Sequence, residues 1–226
     1  MCSSDLRRRL ERGLARWQSK RRGAAVLVSL VDASGKDGSY DVLFERRARS
    51  LTTQPGEVCL PGGSIEAGEQ PQEAALREAA EELLVAPSQI QLLSGLGGIE
   101  GPGGSTLHAF VGTIANYGGS FSPDEVEHTF RIPLAWFLSH EPRRYEVSLL
   151  REFPDDFPWV LVPQGRDYAW RNKVDHIPFY DTDPPVWGAT ARVIDRFVQL
   201  MRLGGEAAGP SPRGNGNPHV HTASRS

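Results

Sequence analysis

The segment 71–84, from Pro71 through Glu73, Ala74, Ala75, Leu76, Arg77, Glu78, Ala79, Ala80, Glu81, Glu82, Leu83 and Leu84, constrains this chain more than any other. Its composition predicts a helix. Pro71 suits a first helical turn and Pro87 marks a stop. Residues four apart share a helix face, so Glu78 and Glu82 form a carboxylate pair and Glu81 flanks it. Leu76, Ala79, Ala80 and Leu83 lie to the other side and can press the helix against a sheet. Crowded like charges repel unless something positive compensates them. Two readings stay open at this point. One is a solvated acidic helix with Glu–Arg pairs. The other is a cation site, for which Mg²⁺ is suited by its preference for hard oxygen ligands.

The residues just upstream favour a cleft. Leu60-Pro61-Gly62-Gly63 can turn tightly after a strand, and a glycine there lets the backbone approach a ligand or metal. Arg77 can reach back to Glu69 and clamp the intervening loop onto the helix. A generic Gly-Gly turn would be the simpler explanation of the same residues.

The rest of the chain sets the frame. Its 226 residues, 39% hydrophobic and 23% charged, suffice for a substantial core. A formal charge of -3 argues against a broadly basic nucleic-acid binder and leaves open only a local groove. No apolar run is long enough for a membrane span. Cys2 and Cys59 are too few and too far apart for a disulfide scaffold. Residues 1–21 predict an amphipathic N-terminal helix or extension, with Leu6, Leu10, Leu14 and Trp17 on one stripe and many arginines around it. Such a segment reads as a helix docked on the domain or as a mitochondrial presequence. The cytoplasm is therefore the expected location and the mitochondrion the alternative. Residues 204–226, rich in Gly, Pro, Ser and Asn, predict a flexible tail. One domain is expected over 22–203, with strands near 24–31, 40–44, 58–60, 90–93, 107–114, 149–150 and 176–179. A short β or irregular stretch followed by a helix is expected over 125–137, and a terminal helix over 188–201. Helices interleaved with mixed strands indicate a layered α/β domain.

The acidic helix and its loop together resemble the Nudix hydrolases. The family's box is a Gly, five residues, a Glu, seven residues, then Arg-Glu-apolar-x-Glu-Glu-x-Gly-apolar. Gly63, Glu69, Arg77, Glu78, Ala79, Glu81, Glu82 and Val85 match it in register, and Leu84 replaces the box glycine. The resemblance implies an α/β/α sandwich with a mixed sheet and hydrolysis, dependent on Mg²⁺ or Mn²⁺, of a small-molecule nucleotide diphosphate. By the same resemblance Glu78 and Glu82 are the leading metal ligands, with Glu81 a third ligand or water-mediated contact. The backbone carbonyl near Gly63 can add another ligand. Glu69 and Arg77 form the structural clamp. The base is Glu78 itself or an acid outside the box, for which Asp124, Glu125 and Glu127 are candidates. Glu125 is preferred because it precedes Phe130-Arg131-Ile132-Pro133-Leu134; its alternative role is to cap the structure that follows.

A second resemblance, to the coenzyme A diphosphatase branch, surrounds the box. It is carried by Leu43-Phe44-Glu45-Arg46-Arg47-Ala48, by Leu51, by Gly56-Glu57-Val58-Cys59-Leu60-Pro61-Gly62-Gly63, and by Val186-Trp187-Gly188-Ala189-Thr190-Ala191. It implies cleavage of coenzyme A or its derivatives to 3′,5′-ADP and (acyl-)4′-phosphopantetheine, with Arg47, Gly62 and Gly63 binding substrate. Thr52 stands where this branch usually has a second Arg, and the loop between Gly63 and Arg77 has ordinary family length. Those departures keep NADH, ADP-ribose and nucleotide sugars open as substrates. A non-catalytic nucleotide-binding domain is the reading from a different class, and a homodimer stays open. Cys59 reads as a core cysteine. Over 153–180, Trp159, Tyr168, Trp170 and Tyr180 alternate with Arg166, Arg171 and Lys173, which suits either a substrate cover or a packing insertion.

Overall fold

The computed structural model describes residues 5, 7–9, 11–13, 23–33, 39–101, 105–170 and 173–205. Of the N-terminal segment, Asp5, Arg7 to Arg9 and Glu11 to Gly13 are helical and exposed. Its expected apolar stripe, Leu6, Leu10, Leu14 and Trp17, lies outside the described residues, as does the expected tail from residue 206 onward.

Ala24–Asp32 (β1) is apolar at nearly every position because both of its faces are covered. It hydrogen-bonds in parallel with Thr106–Ile114 (β6) along its length, from Ala24 opposite Leu107 to Val31 opposite Ile114. Its other pairings, and all others in this sheet, are antiparallel, so the sheet is mixed. The sheet also contains Tyr40–Arg47 (β2), Val58–Cys59 (β3), Gly62–Ser64 (β4), Ile90–Glu100 (β5) and Val126–Pro133 (β7).

One local irregularity positions the candidate site. β1 and β2 pair only at one end, Ser29 opposite Leu43 through Asp32 opposite Tyr40. Beyond that they splay, and residues 58–64 fill the gap. There β3 pairs with β2 (Glu45 opposite Cys59) and β4 pairs with β1 (Val26 opposite Gly62). The backbone N–H of Leu27 donates to Pro61 O at 2.9 Å and fastens the wedge. Gly62 is required here. Its φ is +150°, and a Cβ would lie 2.3 Å from Ala25 O and 2.6 Å from Val26 Cα.

Helices cover both faces. Pro71–Leu83 (α1) packs Ala74 and Ala75 against Ala25, and Leu83 among Val31, Leu43, Ile114 and Tyr117. On the opposite face, Val28, Leu30, Val42, Phe44 and Val111 meet Leu134–Ser139 (α2) and Gly188–Gly205 (α3). The helix α3 buries Ala191, Val193, Ile194, Phe197 and Val198, the stripe expected of an amphipathic helix. The result is the expected α/β/α sandwich. A second, antiparallel sheet is formed by Arg143–Leu149 (β8), Lys173–Tyr180 (β9) and Val186–Trp187 (β10).

Several boundaries differ from the sequence expectation. The fifth strand continues past Leu93 to Glu100, through a glycine-rich stretch with two shifts of register; Gly97 at φ +84° supplies the backbone freedom this needs. The strand β8 begins at Arg143, well before residue 149. Its sequence alternates, with Tyr145, Val147 and Leu149 apolar between Arg144, Glu146 and Ser148, yet all its residues are exposed. Gly62 and Gly63 lie in a short strand rather than in a simple turn.

The end of α1 explains the one mismatch in the box. Leu84 caps the helix in the left-handed conformation (φ 51°, ψ 46°), and its N–H donates to Ala80 O. A glycine adopts that geometry without the Cβ penalty. Leu84 adopts it with its side chain 59% exposed, so no core packing offsets the strain. Leu84→Gly is accordingly expected to raise stability by about 1 kcal/mol, read as an increased urea midpoint with an unchanged slope; a lower midpoint would contradict the strained cap.

Candidate active site

Three carboxylates from two segments converge beside the wedge. Oxygen atoms of Glu78, Glu82 and Glu125 lie within 4.8 Å of one another. Glu78 and Glu82 stand one turn apart on α1. Glu82 is buried, at 2% exposure, and its Oε2 accepts the backbone N–H of Gly62 at 2.7 Å. The Glu78 carboxylate fills the space beside Gly63, where an added Cβ would lie 2.5 Å from its Oε2. The two adjacent glycines thus have separate duties. Gly62 admits the backbone wedge and donates to Glu82, while Gly63 leaves room for Glu78.

Glu125 reaches the group from the loop before β7, and serines set its approach. Ser120 Oγ donates to Leu83 O at 2.7 Å, and the Ser122 N–H donates to Glu82 O at 2.7 Å. Both carbonyls belong to the last turn of α1, where backbone acceptors lack helical partners. Ala48 N–H then donates to Glu125 O at 2.9 Å, tying the loop to the end of β2. Among the acids expected outside the box, the structure brings in Glu125. Glu127 faces Arg49 at 3.4 Å and Arg46 at 3.7 Å, and Asp124 is exposed outside the cluster.

Glu81 is also outside this group. It is exposed and pairs with Arg77 Nη1 at 3.2 Å. Arg77 holds Glu69 with two bonds, Nε to Oε1 at 2.9 Å and Nη2 to Oε2 at 3.1 Å, and also donates to Ser64 O at 3.3 Å. Its Nη2 is 3.0 Å from Glu78 Oε1. The guanidinium therefore joins the 64–69 loop to the helix and supplies positive charge at the edge of the cluster. Its hydrogen bonds hold Glu69 below the usual carboxylate range.

The cluster itself is electrostatically frustrated. Burial, opposed only in part by the Gly62 N–H and compounded by Glu78 and Glu125, pushes Glu82 up to about 7. Burial likewise raises Glu78, against the pull of Arg77. Glu45, which the sequence reading passed over, adds to the problem. It is 1% exposed on β2, within hydrogen-bonding reach of Glu82, and pushed well above the ordinary range first by burial and then by the Glu82 charge. In the sequence it reads as one member of a charged Glu-Arg-Arg strand end. Only the coverage of β2 by β7 on one edge and β3 on the other reveals its burial. Convergent hard oxygen donors, short of positive charge, fit a divalent cation.

Arg47 lies at the end of β2 and donates through Nε to Thr53 O at 3.3 Å, so it stiffens the 48–56 loop. Cys59 faces Glu45 across the β2–β3 ladder. Burial and the charges of Glu45 and Glu82 raise its thiol far above the range in which a thiolate forms, which removes it as a nucleophile. The aromatic segment packs largely on itself: Phe153 contacts Phe157, Trp159 and Trp170, and Arg166 lies over Trp159. Arg171 is outside the described residues. No described helix is long and apolar enough to cross a membrane.

This fold and carboxylate arrangement agree with the comparisons to known proteins. The NUDIX domain family model matches residues 20–157, and the chain belongs to that family. A peroxisomal coenzyme A diphosphatase of Caenorhabditis elegans is 36% identical over 160 residues, 67% of this chain and 65% of that protein. A peroxisomal coenzyme A diphosphatase of Mus musculus is 33% identical over 135 residues, 59% of this chain and 55% of that protein. The mitochondrial Nudix hydrolase 15 of Arabidopsis thaliana is 30% identical over 192 residues, 82% of this chain and 60% of that protein. The chain thus spans between 55% and 65% of the length of these three relatives.

The raised carboxylates fix a pH signature for the metal-free protein. A raised pKa means that the native state binds more protons than the unfolded state, so stability falls as pH rises between the two values. With Glu82 at about 7 and Glu45 and Glu78 also raised, thermal stability in EDTA should fall as pH is raised from about 5 to 8. The lowered Glu69 and Asp175 act in the opposite sense, but below the ordinary carboxylate range. Saturating Mg²⁺ should abolish the decline. Melting curves with and without Mg²⁺ test this, and a midpoint that climbs with pH in EDTA would contradict it.

Proposed function

We propose that the chain is a metal-dependent hydrolase of a nucleotide diphosphate, and that its substrate is coenzyme A or an acyl derivative. The observation that carries the hydrolase reading is the convergence of Glu78, Glu82 and Glu125 at the Gly62–Gly63 wedge. Two relatives bearing the name coenzyme A diphosphatase, at 36% and 33% identity, support the substrate, together with the segments around Arg47 and Gly188. The catalytic unit in this reading comprises residues 22–203, with Arg47, Gly62 and Gly63 contacting substrate.

A bound Mg²⁺ or Mn²⁺ would supply charge neutralisation at the diphosphate and a lowered pKa for water. Glu78 and Glu82 would hold that ion with Glu125, while Glu81 would contact it only through water. Gly62 fixes one oxygen of Glu82, and Arg77 fixes Glu78 from the side. Glu125 is exposed and supported on its loop by Ser122, so it can accept a proton from the attacking water. The water oxygen bonds to phosphorus, the bridging P–O bond breaks, and the second phosphate leaves. No enzyme nucleophile is used. Products from coenzyme A are 3′,5′-ADP and 4′-phosphopantetheine.

Thr52 motivates the second reading, a Nudix hydrolase of another nucleotide diphosphate such as NADH, ADP-ribose or a nucleotide sugar. It sits exposed in the 48–56 loop, where a hydroxyl cannot replace the forked donor of an arginine.

Two measurements test these readings. Mass spectrometry of products from coenzyme A, an acyl-coenzyme A, NADH, ADP-ribose and a nucleotide sugar, each with Mg²⁺, should show preferential release of 3′,5′-ADP from the coenzyme A compounds. Turnover confined to another substrate would discard the coenzyme A assignment, and silence with both Mg²⁺ and Mn²⁺ would favour a binding domain. Glu82→Gln should lower turnover by at least about 10²-fold while the fold is kept; near-normal turnover at saturating Mg²⁺ would remove Glu82 from the ligand set.

A further inference from the structure

The least explained group in the structure is the Glu45 carboxylate. It lies in the middle of a sheet strand at 1% exposure, and neither of its oxygens has a hydrogen-bond partner. Buried polar groups are ordinarily satisfied, and a buried carboxylate without a donor is among the costliest exceptions. Its placement on β2 directs it. Leu43, two residues earlier on the same face, packs against Leu83 of α1, so Glu45 points towards the same end of that helix. There it comes within hydrogen-bonding reach of Glu82. Two carboxylates both accept, so no hydrogen bond joins them unless a proton lies between. The positive charge of Arg47 acts on it, but Arg47 Nε donates to Thr53 O rather than to Glu45.

An apolar side chain at position 45 would remove the penalty, and an amide would remove the charge. The carboxylate instead lies within hydrogen-bonding reach of Glu82, which also converges with Glu78 and Glu125. We propose that Glu45 is itself a metal-ligating residue, sharing with Glu82 a divalent cation at the buried end of the acidic cluster. This rests on the reading of Glu78, Glu82 and Glu125 as a cation site and extends that site inward from the solvent-facing group. In this arrangement Glu82 is the central ligand, oriented by Gly62. The unsatisfied oxygens of Glu45 acquire the partner that no protein donor provides.

The experiment is Mn²⁺ binding to the full chain, read by the electron paramagnetic resonance signal of free Mn²⁺ and by Mn²⁺-induced thermal stabilisation, with no substrate present. Glu45→Gln is close to isosteric and removes the buried charge. It should melt higher than the wild type in EDTA, yet bind Mn²⁺ at least about tenfold more weakly in one step of the isotherm and gain less from the ion. Glu45→Met, which has no oxygen ligand, should show the same loss and serves if the amide variant folds poorly. An unchanged isotherm in either folded variant would overturn the proposal and leave Glu45 as a buried acid sharing a proton with Glu82. Glu78→Gln separates the two readings. If it leaves Mn²⁺ binding intact, the solvent-facing site is wrongly assigned, whatever Glu45 does.

Discussion

The hydrogen bond from the Gly62 N–H to Glu82 joins the two pieces on which the candidate site depends. One is a backbone wedge that exists because β1 and β2 pair at only one end. The other is a helix whose acidic side is turned inward at that gap. A buried carboxylate needs a donor, and a short strand inserted into a splayed pair has an N–H to give. The sheet's irregularity and the helix's misplaced charge therefore answer each other. Glu78 then fits against Gly63 because no side chain occupies that space, and the loop carrying Glu125 docks on the carbonyls that α1 leaves open at its end.

The sequence is most legible where spacing carries the chemistry. Pro71, the run of helix formers and the repeated glutamates locate α1 to within a residue of its end. The pairing of Arg77 with Glu69 also follows from spacing, since the intervening loop is short enough for the guanidinium to reach back. Spacing does not reveal how the acids divide. Glu81 and Glu82 are neighbours of the same type, yet one is solvated beside Arg77 and the other is almost wholly buried. That difference depends on where the sheet meets the helix, which pairing partners far along the chain determine.

Glu45 and β8 are opposite cases of the same limitation. Glu45 belongs to a charged strand end that reads as exposed, but β3, β7 and α1 enclose it. The strand β8 carries the apolar residues Tyr145, Val147 and Leu149 at alternate positions, but the second sheet leaves all of it exposed. Burial in each case is decided by a neighbouring element rather than by the residue's own segment. The box mismatch at Leu84 differs again. The sequence shows a missing glycine, and the structure shows that the left-handed turn persists without it.

The parallel pairing of β1 with β6 has a consequence during synthesis. Ala24 must wait for Leu107 before its strand has a partner on that edge, although the whole of α1 has already emerged. The nascent chain therefore passes through a stage in which a nearly continuous apolar strand has one open edge and the acidic helix has no finished loop to dock on it. Such an edge is a template for unwanted pairing with another chain.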